Sequence, residues 1–213
     1  MMQKSELIAF WTKNFGFRET ELNAFKSIKR EEFVPKNLRD SAYRDTPLPL
    51  LRGKTISQPT TVMIMTHALE LEPGEKVFEV GTGSGYQTAI IAKLVEPNGK
   101  VISTEVVPEL VQFAKENMGK AKIHNVTILE EDGSKGMPSE APFDKIIITS
   151  ACREFPKPLI LQLKTGGIIV GPVGSQNEQE MIKGIKNGNG TLDLQFLGSF
   201  LFSSMYGKYG FED

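Results

Sequence analysis

Glu79-Val80-Gly81-Thr82-Gly83-Ser84-Gly85-Tyr86 follows directly on the apolar pair Val77-Phe78. A short buried strand ends there and the chain turns sharply into a helix. Glycines at 81, 83 and 85 remove the Cβ atoms that would hold a ligand off the backbone. The spacing narrows the ligand. A dinucleotide fingerprint, G-x-G-x-x-G, requires glycine at its sixth place. Tyr86 stands there, and the third glycine comes one residue early. No Lys-Ser/Thr pair follows, so the turn is not a phosphate-cradling P-loop. The acid that opens the turn suits a cationic or hydroxyl-bearing ligand better than a polyphosphate. S-adenosylmethionine (AdoMet) carries a sulfonium, an amino group and a ribose, and no phosphate. The competing account is an ordinary glycine-rich strand-to-helix turn, and the surroundings of the motif decide between the two.

Downstream of the turn the chain alternates. Residues 76–80, 100–105, 125–130, 143–149 and 166–172 read as strands, and 85–95, 108–119 and 156–163 as helices. Apolar runs such as Ile146-Ile147-Ile148 and Ile168-Ile169-Val170 suit strands buried on both faces. The alternation predicts an α/β, doubly wound, mostly parallel sheet with right-handed crossovers. Glycines 184, 188, 190 and 198 punctuate the last stretch, which suits an antiparallel edge. Upstream, apolar residues recur at helical spacing over 5–15 and 19–29, and again over 60–71. Between them, 36–59 is a long connection rich in turn formers, and a compact domain seldom keeps one without a use for it. One domain over 1–213 is expected. It would comprise N-terminal helices and a cover (1–59), a ligand-binding core (60–175) and C-terminal strands on the substrate side (176–213).

Composition excludes several classes. A hydrophobic fraction of 39% and a charged fraction of 24% are those of a globular chain. A net charge of −1 supplies no basic field for nucleic acid. The lone cysteine, Cys152, rules out an internal disulfide, and with two histidines no metal site is expected. No apolar run approaches the ~18 residues of a membrane span, so no membrane association is expected. Nor does the N-terminus carry a secretory core, and cytoplasmic residence follows as the default.

In a doubly wound sheet, ligands bind beyond the carboxyl ends of the strands. Glu105 ends the second strand, 24 residues after Gly81. That is the usual place of a carboxylate accepting from both ribose hydroxyls, with Val106 beside it. The alternative is an acid that favours the positive end of the next helix. At the third strand end, the Asp132 carboxylate and the Gly133 backbone can meet an adenine, or simply form a turn. Glu79 either reaches the ligand amino group through water or caps the glycine loop. The fourth strand ends Thr149-Ser150-Ala151-Cys152, where small residues leave room for a substrate. A small buried thiol is the simpler account of Cys152.

Several segments together resemble the protein-L-isoaspartate O-methyltransferase family. They are Tyr43-Arg44-Asp45-Thr46-Pro47-Leu48-Pro49, Gly53-Lys54-Thr55-Ile56-Ser57-Gln58-Pro59 and the glycine motif continued to Gln87. Gly133-Ser134-Lys135-Gly136, Glu140-Ala141-Pro142-Phe143-Asp144, Leu163-Lys164-Thr165-Gly166-Gly167 and Pro172-Val173-Gly174 complete the match. It spans roughly residues 30–175. Thr55-Ile56-Ser57-Gln58-Pro59 is its most specific part, because it lies outside the cofactor core.

The resemblance implies a class I AdoMet methyltransferase with a seven-stranded, Rossmann-like sheet. It implies methyl transfer to the free carboxylate of L-isoaspartyl residues in damaged proteins and peptides, leaving S-adenosyl-L-homocysteine. Ser57 is then the catalytic or substrate-orienting hydroxyl. Thr55, Ile56 and Ser57 enclose the cofactor, with Glu79, Gly81, Thr82, Gly83, Ser84, Gly85, Glu105, Val106, Asp132 and Gly133 around it. Ser150, Ala151, Cys152, Phe202 and Ser203 fall to the substrate. A monomer is expected. The chain departs from the family pattern at Cys152-Arg153, where a Pro is usual, and at Phe202-Ser203-Ser204-Met205, in place of a Phe-Val-Pro-Leu type strand. The rival reading is an AdoMet-dependent transferase acting on a small-molecule carboxylate or RNA.

Overall fold

The computed structural model describes residues 3–211. Two helices, α1 (Lys4–Asn14) and α2 (Glu19–Ser27), lead into 3-10 turns at Arg30–Glu32 and Lys36–Ser41. The stretch expected to be an irregular connection is organised. A two-stranded antiparallel ribbon of β1 (Leu48–Pro49) and β2 (Thr55–Ile56) pairs Leu48 with Ile56 and Pro49 with Thr55. These strands are too short to register as an alternating pattern in the sequence. Helix α3 (Pro59–Ala68) follows, with proline at its first position, where a missing N–H costs nothing.

The main sheet holds β3 (Lys76–Val80), β4 (Lys100–Glu105), β5 (Val126–Glu130), β6 (Phe143–Ile148), β7 (Leu163–Gly174), β8 (Gln179–Lys186) and β9 (Leu192–Phe200). Their spatial order is β5-β4-β3-β6-β7-β8-β9. The pairs from β5 to β7 are parallel, and β7–β8 and β8–β9 are antiparallel. The last three strands therefore form a simple meander. Helices α4 (Tyr86–Leu94), α5 (Pro108–Ala121) and α6 (Lys157–Gln162) provide the crossovers. The expected helix and main-sheet strand positions agree within a few residues; β7 is the exception, running longer at both ends.

Alternation along the strands divides the core. Val77, Val101, Ile147 and Val170 pack with Met65 and Leu69 from the α3 region and Ile91 of α4. Phe78, Ile102, Ile146 and Ile169 face the other way, onto Leu159 of α6 and Met137. The period of two makes this division automatic once every strand is buried on both faces. Trp11, Phe25, Phe33 and Met63 join the N-terminal helices to α4 and α5. The reversal of strand direction of travel lies between β3 and β6, beside the glycine turn, so the sheet opens its crevice there.

Candidate active site

A single cavity of about 580 Å³ runs from the glycine turn to the β1–β2 ribbon. Its walls include Thr55 and Ile56 of β2 with Ser57 after it, and Gly81, Thr82, Gly83 and Ser84 from the turn. Glu105, Val106, Glu131 and Gly133 lie at the ends of β4 and β5, and Ser150 beyond β6. Ser199 through Tyr206 close the remaining side. The sequence-predicted Ser57, Glu105, Ser150, Phe202 and Ser203 thus meet in one place. Lys54, Thr61, Met65, Gln87, Leu110, Glu131 and Tyr206 also line it and were not among the expected site residues.

The glycines serve two purposes rather than one. A Cβ on Gly81 (φ +96°) would lie 2.4 Å from Thr149 Oγ1. One on Gly85 would meet the Met118 methyl at 2.6 Å. Both are therefore needed for packing inside the protein, whereas the missing Cβ of Gly83 opens onto free space. Gly133 is likewise hemmed in: its Cβ would fall 2.1 Å from Thr104 Oγ1.

Glu105 anchors the turn. Its Oε2 accepts from the Gly83 amide at 2.9 Å, and its Oε1 from the Val106 and Val107 amides at 2.9 and 3.1 Å. The carboxylate is 8% exposed and borders the cavity. A carboxylate has about four acceptor sites, so capacity remains for a hydroxyl donor. Gly83 is open, and an acid stands at the carboxyl end of β4. No phosphate-binding lysine is adjacent. This donor set fits a nucleoside with free ribose hydroxyls, as AdoMet provides.

Five expected site residues do not line the cavity: Gly85, packed against Met118 and Ala114, and Glu79, Asp132, Ala151 and Cys152. Glu79 is fully buried and accepts from Thr88 Oγ1 and from Ser103 Oγ at 2.6 Å, so it ties β3 to α4 and β4. Burial pushes its carboxyl up to about 7. Asp132 caps the 3-10 turn Gly133–Lys135, accepting from the Ser134 amide at 3.0 Å and the Ser134 hydroxyl at 2.6 Å. Its other oxygen accepts from the Lys208 amide at 2.9 Å. The carboxylate is committed to the C-terminal segment, and only its neighbours Glu131 and Gly133 reach the cavity. Ala151 and Cys152 are fully buried. The Ala151 amide donates to Ser203 O, and its carbonyl accepts from the Met205 amide, each at 2.8 Å. The Cys152 thiol lies in the core, with burial holding it up at about 12. Small size at these two positions lets the C-terminal segment dock rather than leaving space for a substrate.

Ser57 follows β2 and precedes Gln58, the residue before the first turn of α3, and the Gln58 side chain does not cap that helix. Asp45 does the work at the helix start instead, accepting from the Thr60 amide at 2.9 Å and the Thr60 hydroxyl at 2.6 Å. Thr60 in turn accepts from Trp11 Nε1 at 2.8 Å, which couples α1 to the start of α3. Arg30 is fully buried beneath the ribbon. Its Nε donates to Ala42 O at 2.7 Å and its Nη2 to Ser57 O at 2.8 Å, while its guanidinium lies 4.9 Å from the Tyr86 ring centroid. Burial lowers its pKa to about 10, still far above neutrality. Arg30 was missed because nothing in its local sequence marks it; its partners lie 12 and 27 residues away.

Among the described residues no helix is long and apolar enough to cross a membrane, and no group of His, Cys, Asp or Glu is placed to hold a metal.

The family described as Protein-L-isoaspartate(D-aspartate) O-methyltransferase (PCMT) matches residues 2–209. A protein-L-isoaspartate O-methyltransferase of Methanopyrus kandleri is 45% identical over 191 residues, 89% of this chain and 84% of its own. One from Pyrococcus horikoshii is 40% identical over the full length of both chains. A solved protein-L-isoaspartate O-methyltransferase superposes with a TM-score of 0.88 at 28% identity, covering 98% of this chain and 67% of the other. A Plasmodium falciparum structure described as a putative member, in complex with S-adenosyl-L-homocysteine, superposes at 0.83 and 24% identity, a likeness of fold. With a turn that suits a nucleoside, Ser57 bordering the same cavity, and these relatives along its whole length, the chain belongs to the protein-L-isoaspartate O-methyltransferase family.

Proposed function

We propose that this protein repairs isoaspartyl sites, transferring the methyl group of AdoMet to the free carboxylate of L-isoaspartyl residues in damaged proteins and peptides. The observation that carries this reading is that Ser57 and residues 81–84 of the glycine turn border the same cavity. AdoMet, when bound, supplies a methyl group activated by its sulfonium. Glu105 and the Gly83 region hold the nucleoside, and Gly133 with Glu131 borders its far end.

A substrate carboxylate has a reference pKa near ~4 and is already ionised at neutral pH. It needs placement and exclusion of water more than a general base. The cavity suits that demand: neither His67 nor His124 lines it. The Ser57 hydroxyl donates to one carboxylate oxygen and aims the other. Arg30, gripping the Ser57 carbonyl, keeps that hydroxyl from drifting. Phe200, Leu201 and Phe202 shield the opposite side. Residues 1–59 act as helices and cover, 60–175 as the cofactor core, and 176–213 as the substrate side. Substrates lie extended between cover and C-terminal segment, read through main chain more than side chain.

The test is to incubate the protein with labelled AdoMet and matched isoaspartyl and aspartyl peptides. Base-labile label on the isoaspartyl peptide alone is expected. Base-stable label on RNA, or label on both peptides equally, would refute the assignment.

A further inference from the structure

Lys54 stands one residue before β2 and three before Ser57. Among the described residues lining the cavity it is the one Lys or Arg, and the two acids there, Glu105 and Glu131, sit at the ends of β4 and β5. Its ammonium lies 3.9 Å from the centroid of the Tyr206 ring. No carboxylate among the described residues is within ion-pairing distance of it. Elsewhere on the molecule lysines are paired with acids, as Lys100 is with Glu140 and Lys164 with Asp144. Lys54 is held by an aromatic face instead, which steadies a cation without neutralising it.

Its position also matters. Tyr206 belongs to a segment that is itself anchored, by the Ala151 amide to Ser203 O and by the Lys208 amide to Asp132. Lys54 lies in the turn between the two ribbon strands, and Ser57 directly follows the second. The pair therefore bridges the two sides of the cleft in which the substrate is read as lying. An extended strand rises about 3.3 Å per residue, so Lys54 is about 10 Å along the chain from Ser57. Its four-carbon stem then covers the neighbourhood of a peptide whose reacting residue is at Ser57.

Resting on the repair reading, we infer that Lys54, poised over Tyr206, is a specificity-determining residue: it selects isoaspartyl peptides with an acidic side chain within two positions of the isoaspartate and disfavours those with lysine there. The cation acts on a flanking side chain, while Ser57 orients the reacting carboxylate. The selection is electrostatic, and salt weakens it.

The experiment is kcat/KM for a set of isoaspartyl peptides that differ at one flanking position, carrying Glu, Gln or Lys at each of the two places on either side. It is run on the intact protein and on the K54Q and K54E variants, with circular dichroism and AdoMet calorimetry to verify folding and cofactor binding. The wild-type protein should prefer Glu over Lys at one or more of these places by about fivefold at low salt, the upper range for an exposed pair. K54Q should level the series, K54E should reverse it, and about 0.5 M salt should flatten the wild-type order. A folded, AdoMet-binding K54E that keeps the wild-type order overturns the inference, as does a wild-type enzyme that methylates every peptide equally. A wild-type enzyme that methylates none of them overturns the repair reading itself, and this inference with it.

Discussion

Replacing Glu105 by glutamine separates the two duties of its carboxylate. The side chain keeps its size but has one acceptor oxygen instead of two. That oxygen can serve either the Gly83 amide, or the Val106 and Val107 amides, but not both sides. Serving the pair leaves the new NH2 group facing the Gly83 N–H, donor against donor. An unsatisfied, part-buried donor costs about 1–2 kcal/mol. Loss of a negative charge at the start of α5 adds about 0.3–1 kcal/mol. The ligand-free variant should therefore lose roughly 1–3 kcal/mol, which for a chain of this size lowers Tm by roughly 3–10 °C. Binding suffers separately. The ribose hydroxyls lose a charged acceptor worth about 1.5–3 kcal/mol, or about 10- to 150-fold in Kd. Calorimetric titration with AdoMet and with S-adenosyl-L-homocysteine measures the second effect, and thermal unfolding without ligand measures the first. An E105Q protein whose Kd for both ligands stays within about twofold of wild type would refute the ribose assignment, whatever its Tm. A normal Tm would refute the anchoring role.

Ser57→Ala should lower kcat by about tenfold or more while AdoMet affinity changes little, since the hydroxyl serves the acceptor carboxylate; unaltered turnover on isoaspartyl peptide makes Ser57 merely structural. Arg30→Lys removes the fork that reaches both the Ala42 and Ser57 carbonyls, so kcat should fall about tenfold with AdoMet binding preserved; full turnover in a folded variant would deny it the positioning role. Glu79 has its carboxyl raised by burial from an ordinary 4.5 to about 7. The stability carried by that proton is complete below pH 4.5 and is lost as pH rises through about 7. Glu79→Gln cannot titrate, so its denaturant stability should gain about 3 kcal/mol relative to wild type between pH 4.5 and pH 8. Parallel stability curves over that window would show that Glu79 is ionised in its buried site.

Much of the sheet was legible because its signals are local. Strands β3 and β4 were read to the residue from apolar runs bounded by Gly81 and Glu105, and the helices from their spacing. Asp132 was misplaced for an instructive reason. A carboxylate beside a glycine at a strand end looks the same whether it meets an adenine or caps a turn. What decides is the Lys208 amide, 76 residues later in the chain. Ala151 and Cys152 looked like an open floor, yet residues 203–205 pair across them. Arg153, one of the departures from the family pattern, stacks on Phe211 at 5.5 Å. The two departures are thus linked through one C-terminal segment.

The sequence by itself determined the strand-to-helix turn at 81–85 and the parallel core around it, because these depend on steric freedom and hydrophobic periodicity within a few residues. Tertiary structure alone decided that β8 precedes β9 in the sheet, that Gly81 and Gly85 serve packing and Gly83 the open side, and that Arg30 holds Ser57 from below. Those outcomes depend on which distant groups arrive at the same place, and burial then forces each polar atom to find its partner there, however far apart the two stand along the chain.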